Sequence, residues 1–302
     1  MKLSEKDELK KRIDEIFVEH PRYKEIHLMF DTMRENKNKD TPIHVFLRGD
    51  SGVGKSRLLE KYTERNKGYE EKDDQGTEID IKPVLYAELP NPFTIAEFYQ
   101  TIIKALGAPQ FAGAKVGELK RQAFTLIEKQ RVELLILDEM DYILTSRYVT
   151  KKEAMEAIKH VSNIGKISVV LAGTPESEQL TKINFQYFRR FPVTKLYRFA
   201  EFDQHFCDLL QTIEDQLELP KTLGLGDPMT EIPQLLHEMS QGILGALTPI
   251  LQRTFRKLIA NYDYEEVSNP ILFLSMLELA QREIIGDNES EFIKMLKTSD
   301  AC

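Results

Sequence analysis

Gly49-Asp50-Ser51-Gly52-Val53-Gly54-Lys55-Ser56 constrains this chain more than any other stretch. A strand-like apolar run (IHVFLR, residues 43–48) stands directly before it, and an amphipathic segment with Leu58, Leu59 and Tyr62 follows. A glycine-rich turn between a strand and a helix lets successive backbone N–H groups converge on one point, where the helix N-terminus adds partial positive charge. Such a point suits a phosphate chain. With G-x-x-x-x-G-K-S spacing, Lys55 is expected to reach the β- and γ-phosphates of a nucleoside triphosphate, and the Ser56 hydroxyl to ligate magnesium. The eight residues, with Arg57 after them, are the expected nucleotide contacts.

Further runs of strand character are VLYAEL at 84–89, ELLILDE at 133–139, ISVVLAG at 167–173 and KLYRF at 195–199. Helical stretches separate them. Thr94 and Glu97 have capping-box spacing, and Ile95, Phe98, Ile102 and Leu106 then recur at helical intervals. This alternation predicts an α/β fold with a five-stranded parallel sheet flanked by helices. One or two polar helices precede it (about 4–18 and 22–35), and only helices follow residue 200. There the apolar stripes are Phe202, Phe206, Leu209, Leu210, Ile213 and Leu217, then Leu247, Ile250, Leu251, Thr254, Leu258 and Ile259, with a third helix over about 270–282. The expected division is N-terminal helices (1–40), an α/β nucleotide-binding core (41–200), and a helical lid with a tail (201–302). Segments 67–82 and 219–229 read as loops.

The bulk numbers narrow the function classes. With 302 residues and 41% hydrophobic content the chain can bury a full core. The opening MKLSEKDELKKRIDEIF fits neither a signal nor a transit peptide, and no segment approaches the roughly 18 apolar residues of a membrane span. Cys207 and Cys302 make neither a disulfide framework nor a metal pattern, which points to a reducing cytoplasm. A net charge of −8 argues against coating nucleic acid with the whole surface. Local basic runs remain: Lys182, Arg189, Arg190, Lys195 and Arg198 contain no acid between them, and residues 115–131 carry a net of +3. Either run can be a solvated face or a phosphate-binding one.

Leu134-Leu135-Ile136-Leu137-Asp138-Glu139 is a buried strand that delivers two carboxylates to the crevice where α/β sheets bind ligands. Asp138 suits the magnesium side, and Glu139 suits the general base that polarises an attacking water. The adjacent Glu sets the chain apart from small-molecule kinases, whose acceptor is a substrate hydroxyl. In this it resembles the AAA+ P-loop NTPases. That resemblance implies ATP as cofactor, a polar sensor at the end of the fourth strand, here Thr174, and an arginine given to the neighbouring subunit's γ-phosphate. Phe188-Arg189-Arg190-Phe191 offers two, of which Arg190 is favoured and Arg189 is second.

From about residue 20 to 260 the motifs GDSGVGKS, LLILDEMDYI, VVLAGTPE, FRRF and GILGALTPILQRTF are similar to those of the TniB/TnsC transposition regulators. The resemblance implies an assembly-dependent ATPase that forms a homo-oligomeric ring or filament on double-stranded DNA. It also implies recruitment of a transposase to a target chosen by a selection protein. DNA contacts carried over from the family fall on Lys104, Lys115, Lys120 and Arg121. One departure is that Gly242 is followed by Ile243, Leu244, Gly245 and Ala246, with no arginine where many AAA+ lids have one. The rival readings are a helicase loader or replication initiator, and an unfoldase, for which Phe111-Ala112-Gly113 has the shape of a pore loop but the wrong position.

Overall fold

The computed structural model describes residues 5–17, 19–36, 41–72, 76, 78–109 and 113–285. Phe111, Ala112 and Cys302 lie outside them, as do Ser4 and Val18 at the ends of the first expected helix. The elements run α1 (Glu5–Asp14), α2 (Pro21–Glu35), β1 (His44–Arg48), α3 (Lys55–Arg65), β2 (Tyr69–Lys72), β3 (Glu78–Ile81), β4 (Val84–Glu88), α4 (Ile95–Ala105), α5 (Val116–Lys129), β5 (Leu134–Asp138), α6 (Asp141–Thr145), α7 (Lys151–Gly165), β6 (Ser168–Gly173), α8 (Phe185–Arg190), β7 (Val193–Lys195), α9 (Gln204–Leu217), α10 (Ile232–Ser240), α11 (Leu244–Asn261) and α12 (Pro270–Ile285). The chain forms two compact units, one from Arg22–Asp50 and Gly54–Leu196, the other from the described residues within Met1–Pro21, Ser51–Val53 and Tyr197–Cys302.

The first unit is built on a five-stranded sheet in the order β4-β5-β6-β1-β7, parallel throughout. Every residue of β5 and β6 is buried, which is why both read as continuous apolar runs with no alternation. Leu135, Leu137, Val169 and Leu171 share one core with Phe98, Ile102, Leu119, Ala123, Ile158 and Val161 from α4, α5 and α7. The Thr94 hydroxyl accepts the Glu97 N–H and so starts α4, as its spacing predicts. Helices α2 and α3 pack together through the rings of Phe30 and Tyr62, 5.1 Å apart. The Ser168 hydroxyl ties β6 to the carbonyl of Met33 in α2.

Two expectations need correcting. Part of the 67–82 segment forms an antiparallel hairpin, β2 with β3, in register from Tyr69↔Ile81 to Lys72↔Glu78. Its pairing hides among charges, because of its eight paired residues only Ile81 is buried. The last parallel strand is Val193–Lys195 instead of 195–199, since Phe46 pairs with Val193 and Arg48 with Lys195. Pairing ends where the Leu196 N–H donates to the Arg48 carbonyl.

The second unit is helical. Leu9, Ile13 and Ile16 join Phe206, Leu210, Ile213, Leu247, Ile250, Leu251, Phe255 and Phe273 in one core, so α1 belongs here while α2 belongs to the α/β unit. The Lys6 ammonium donates to the carbonyls of Ile259 and Tyr262 at the C-terminal end of α11. Asp203 caps α9, which leaves Phe202, expected to open the apolar stripe, outside the helix. The stretch 219–229 is irregular but tied down: the buried Glu214 carboxylate accepts the N–H groups of Leu223, Gly224 and Leu225. Gly242 has φ +68°, and a Cβ there would stand 1.8 Å from the Phe199 carbonyl oxygen. The Phe199 N–H in turn donates to the Gly242 carbonyl. The P-loop tip is counted with this unit, because the Gly245 N–H donates to the Gly52 carbonyl at 2.8 Å.

Gly242→Ala should therefore lower the stability of the helical unit by more than about 1–3 kcal/mol, the cost of a strained backbone alone, since a clash is added. Urea unfolding followed by far-ultraviolet circular dichroism measures it, and an unchanged midpoint would refute the close approach.

Candidate functional site

The carboxyl ends of β1, β5 and β6 finish nearly level, because Arg48 pairs with Gly173 and Leu137 with Leu171. The Gly49 N–H donates to the Gly173 carbonyl and ties the start of the glycine loop to the end of β6. Gly52 and Gly54 both have positive φ, +75° and +100°, where L side chains are strained. Gly54 precedes α3 without a side-chain cap, so the first N–H groups of this helix remain available to a ligand. Its carbonyl accepts the buried Tyr23 hydroxyl from α2 at 3.0 Å. Ser56 is half-buried and Arg57 exposed, the latter paired with Glu60.

The Lys55 ammonium folds onto the loop's own carbonyls, 2.6 Å from Gly49 and 2.9 Å from Asp50. Burial pushes its pKa below the usual lysine range, against the pull of Asp138, Asp141, Glu139 and Asp50. Three of those carboxylates come from the last residue of β5 and the turn into α6. Asp138 is buried; its Oδ1 accepts the Glu139 N–H at 2.8 Å and its Oδ2 the Tyr86 hydroxyl at 3.0 Å. Glu139 has φ +59°, a left-handed conformation that turns the chain at the strand end. Burial first, then the charges of Asp138, Asp141 and Glu88, raise its pKa, with Lys55 opposing. A half-buried carboxylate pushed in that direction suits a proton acceptor.

Thr174 sits at the end of β6, as the sequence predicts, and its hydroxyl donates to Asp141 Oδ1 while Asp141 Oδ2 accepts its backbone N–H. Gly173 makes room: a Cβ there would stand 2.1 Å from Ser177 Oγ and 3.1 Å from Asp141 Oδ2. No motif in the sequence marks Asp141, Tyr86 or Tyr23. Asp141 was visible as a third carboxylate in DEMD, but only folding brings it to Thr174.

Arg189 and Arg190 end α8 in different environments. Arg190 is half-buried, with one terminal nitrogen on Ser162 Oγ and Asn163 Oδ1, and its Nε is buried without a partner. Burial lowers its pKa. Beside it His44, pushed down to about 3 by burial and by Arg190, stays neutral and accepts the Val169 N–H. Arg189 is exposed and lies over the Phe185 ring, 5.8 Å from its centroid. The ring itself is 73% exposed, so nothing of the fold encloses this pair.

The four basic residues on α4 and α5 do not all come together. Lys120 lies over the Tyr99 ring, and Gln130, after α5, donates to the carbonyl of Leu106, after α4. The two helices thus run in the same direction. Lys115 immediately precedes α5, Lys120 and Arg121 lie in its first half, and Lys104 sits in the last turn of α4, at the other end. Lys104, Lys115 and Arg121 are exposed; Lys120 is half-buried.

Ser56 and Asp138 are hard oxygen donors of the kind that hold magnesium together with phosphate oxygens and water. Among the described residues no group of three or more His, Cys, Asp or Glu is arranged to hold a metal by itself, and such a shared site does not need one. Also among them, no helix is long and apolar enough to cross a membrane.

No curated protein sequence matches the chain. In fold it is similar to the Aeropyrum pernix ORC1 protein solved in complex with DNA (17% identity, TM-score 0.61, covering 88% of this chain and 66% of that one). It is also similar to the ADP form of the Aeropyrum pernix ORC2 protein (13%, 0.62, 89% and 72%) and to Drosophila ORC bound to DNA (14%, 0.53, 95% and 68%). The chain thus spans about two thirds of the length of these structures, and at such identities the likeness establishes the fold alone, that of the AAA+ P-loop NTPases. The sequence matches the family described as bacterial TniB protein over residues 10–201. On that match, which covers more than half its length, the chain belongs to the bacterial TniB family.

Proposed function

We propose that this chain is an ATP-dependent, DNA-binding regulator of transposition. On this reading it binds ATP and magnesium at Gly49 to Arg57, hydrolyses ATP slowly, and assembles as a ring or filament on double-stranded DNA. There it recruits a transposase to a target chosen by a partner protein. The observation that carries the nucleotide part is the convergence of Lys55 with Asp138, Glu139 and Thr174 at the ends of three adjacent strands. Membership of the TniB family supports transposition as the setting.

Each side chain has a task in this scheme. Lys55 leaves the carbonyls of Gly49 and Asp50 to meet the β- and γ-phosphates, and the open N–H groups of α3 take the remaining phosphate charge. Ser56 and Asp138 hold magnesium, which when bound neutralises charge on the phosphate oxygens. Glu139 takes the proton of the attacking water, with Thr174 beside it. Arg189 reaches the neighbouring subunit's γ-phosphate, because Arg190 is occupied by Ser162 and Asn163 within its own chain. DNA is met through phosphates by Lys115, Lys120 and Arg121, with Lys104 contributing from a separate position. The likeness to ORC structures favours a second reading, a replication initiator or helicase loader. Stimulation of a transposase by the ATP-bound chain would separate the two.

Lys55→Ala should abolish ATP binding, whereas Glu139→Gln should keep ATP while slowing its hydrolysis on the order of 100-fold or more, the usual scale of general-base loss. Isothermal titration and phosphate release measure both, and a Glu139→Gln rate equal to the parent's removes Glu139 from the role of base. For the arginines the expectation is a split. Arg189→Ala should hydrolyse poorly at unchanged thermal stability and regain activity when mixed with Glu139→Gln subunits, while Arg190→Ala should melt several degrees lower. The reverse pattern would return the trans role to Arg190.

DNA binding should be sequence-tolerant, ATP-dependent and steeply salt-dependent, since a subunit with net charge −8 gains affinity only when assembly adds its small basic patches together. Replacing Lys115 and Arg121 together by Ala should weaken binding to all duplexes alike and flatten the salt dependence. Fluorescence anisotropy at two salt concentrations checks this, and tight binding without ATP would overturn it.

A further inference from the structure

Asp138 receives a second hydrogen bond from outside its own motif. β4 lies beside β5 with Tyr86 paired to Ile136 and Glu88 to Asp138, so the Tyr86 ring stands one pleat short of the carboxylate. Its hydroxyl donates to Asp138 Oδ2 at 3.0 Å while the Glu139 N–H donates to Oδ1 at 2.8 Å. One donor on each oxygen fixes the plane of the carboxylate and leaves one lone pair on each oxygen unused. Lys55 does not compete for them, being held by Gly49 and Asp50. Without the tyrosine, Oδ2 would have no donor in a buried position, and the carboxylate would be free to rotate.

We infer that Tyr86 is a positioning residue for the metal subsite of the nucleotide crevice: it locks Asp138 in the orientation from which that carboxylate reaches the magnesium of bound magnesium-ATP. The inference rests on the nucleotide reading above and adds to it a residue on a neighbouring strand that touches neither metal nor nucleotide. Outer hydrogen-bond partners of metal ligands typically govern about 10–100-fold in metal affinity.

The test uses the full chain with Tyr86→Phe, which keeps the ring and removes only the hydroxyl. Affinity for a non-hydrolysable ATP analogue is measured in EDTA, and affinity of the analogue-loaded chain for Mn2+ is read by electron paramagnetic resonance. The expected result is an unchanged analogue affinity in EDTA with Mn2+ affinity about 10–100-fold weaker and an altered Mn2+ spectrum. Equal Mn2+ affinity and spectrum in parent and variant would overturn the inference. So would a parallel loss of metal-free analogue binding, which would give the hydroxyl a general structural role. A parent chain that takes up no analogue under any condition would sink the nucleotide reading itself and this inference with it.

Discussion

The level alignment of parallel strand ends is the constraint on which the α/β unit depends. Parallel strands need crossover connections, so residues far apart in sequence meet only where their strands end together. Arg48 opposite Gly173, and Glu88 opposite Asp138, place the glycine loop, the two motif carboxylates and Thr174 in one crevice. A one-residue slip of β5 would face Asp138 to the opposite side of the sheet and dismantle the site. The full burial of β5 and β6 is what holds the register, since any slip would drive apolar side chains from matched neighbours.

That alignment concentrates charge. Asp138, Glu139 and Asp141 gather on the side of the half-buried Lys55 ammonium, and none can move far, being held respectively by Tyr86, by a left-handed backbone and by Thr174. Fixed charges in a partly desolvated crevice interact more strongly than they would in water, and they need no rearrangement when a ligand arrives. An arrangement poor in cation and rich in fixed carboxylate is better suited to a polyanion when a divalent cation accompanies it.

Much of this was legible in the sequence wherever the chemistry is local. The glycine loop, Lys55 and the Asp138–Glu139 pair are contiguous, and the apolar runs around them are long enough to declare their strands. What could not be read depends on contacts across the chain. The hairpin β2–β3 buries only Ile81 of its paired residues and so shows no apolar pattern, and β7 stops at Lys195 because its partner strand β1 ends at Arg48. The sequence favours Arg190 over its neighbour Arg189, and only the folded chain shows Ser162 and Asn163 reaching Arg190. Lys104 and Lys115 are near in sequence yet stand at opposite ends of two co-directional helices.

Thr174 has a single hydroxyl hydrogen, and in this structure it is already spent. Asp141 Oδ1 takes it. With that hydrogen committed, the hydroxyl offers only lone pairs towards the crevice. In this state it can steady the hydrogen of a water but cannot donate to a phosphate oxygen. To donate, it would have to abandon a charge-assisted bond, which makes the side chain a toggle with two settings. Its setting decides which acceptor the end of β6 serves.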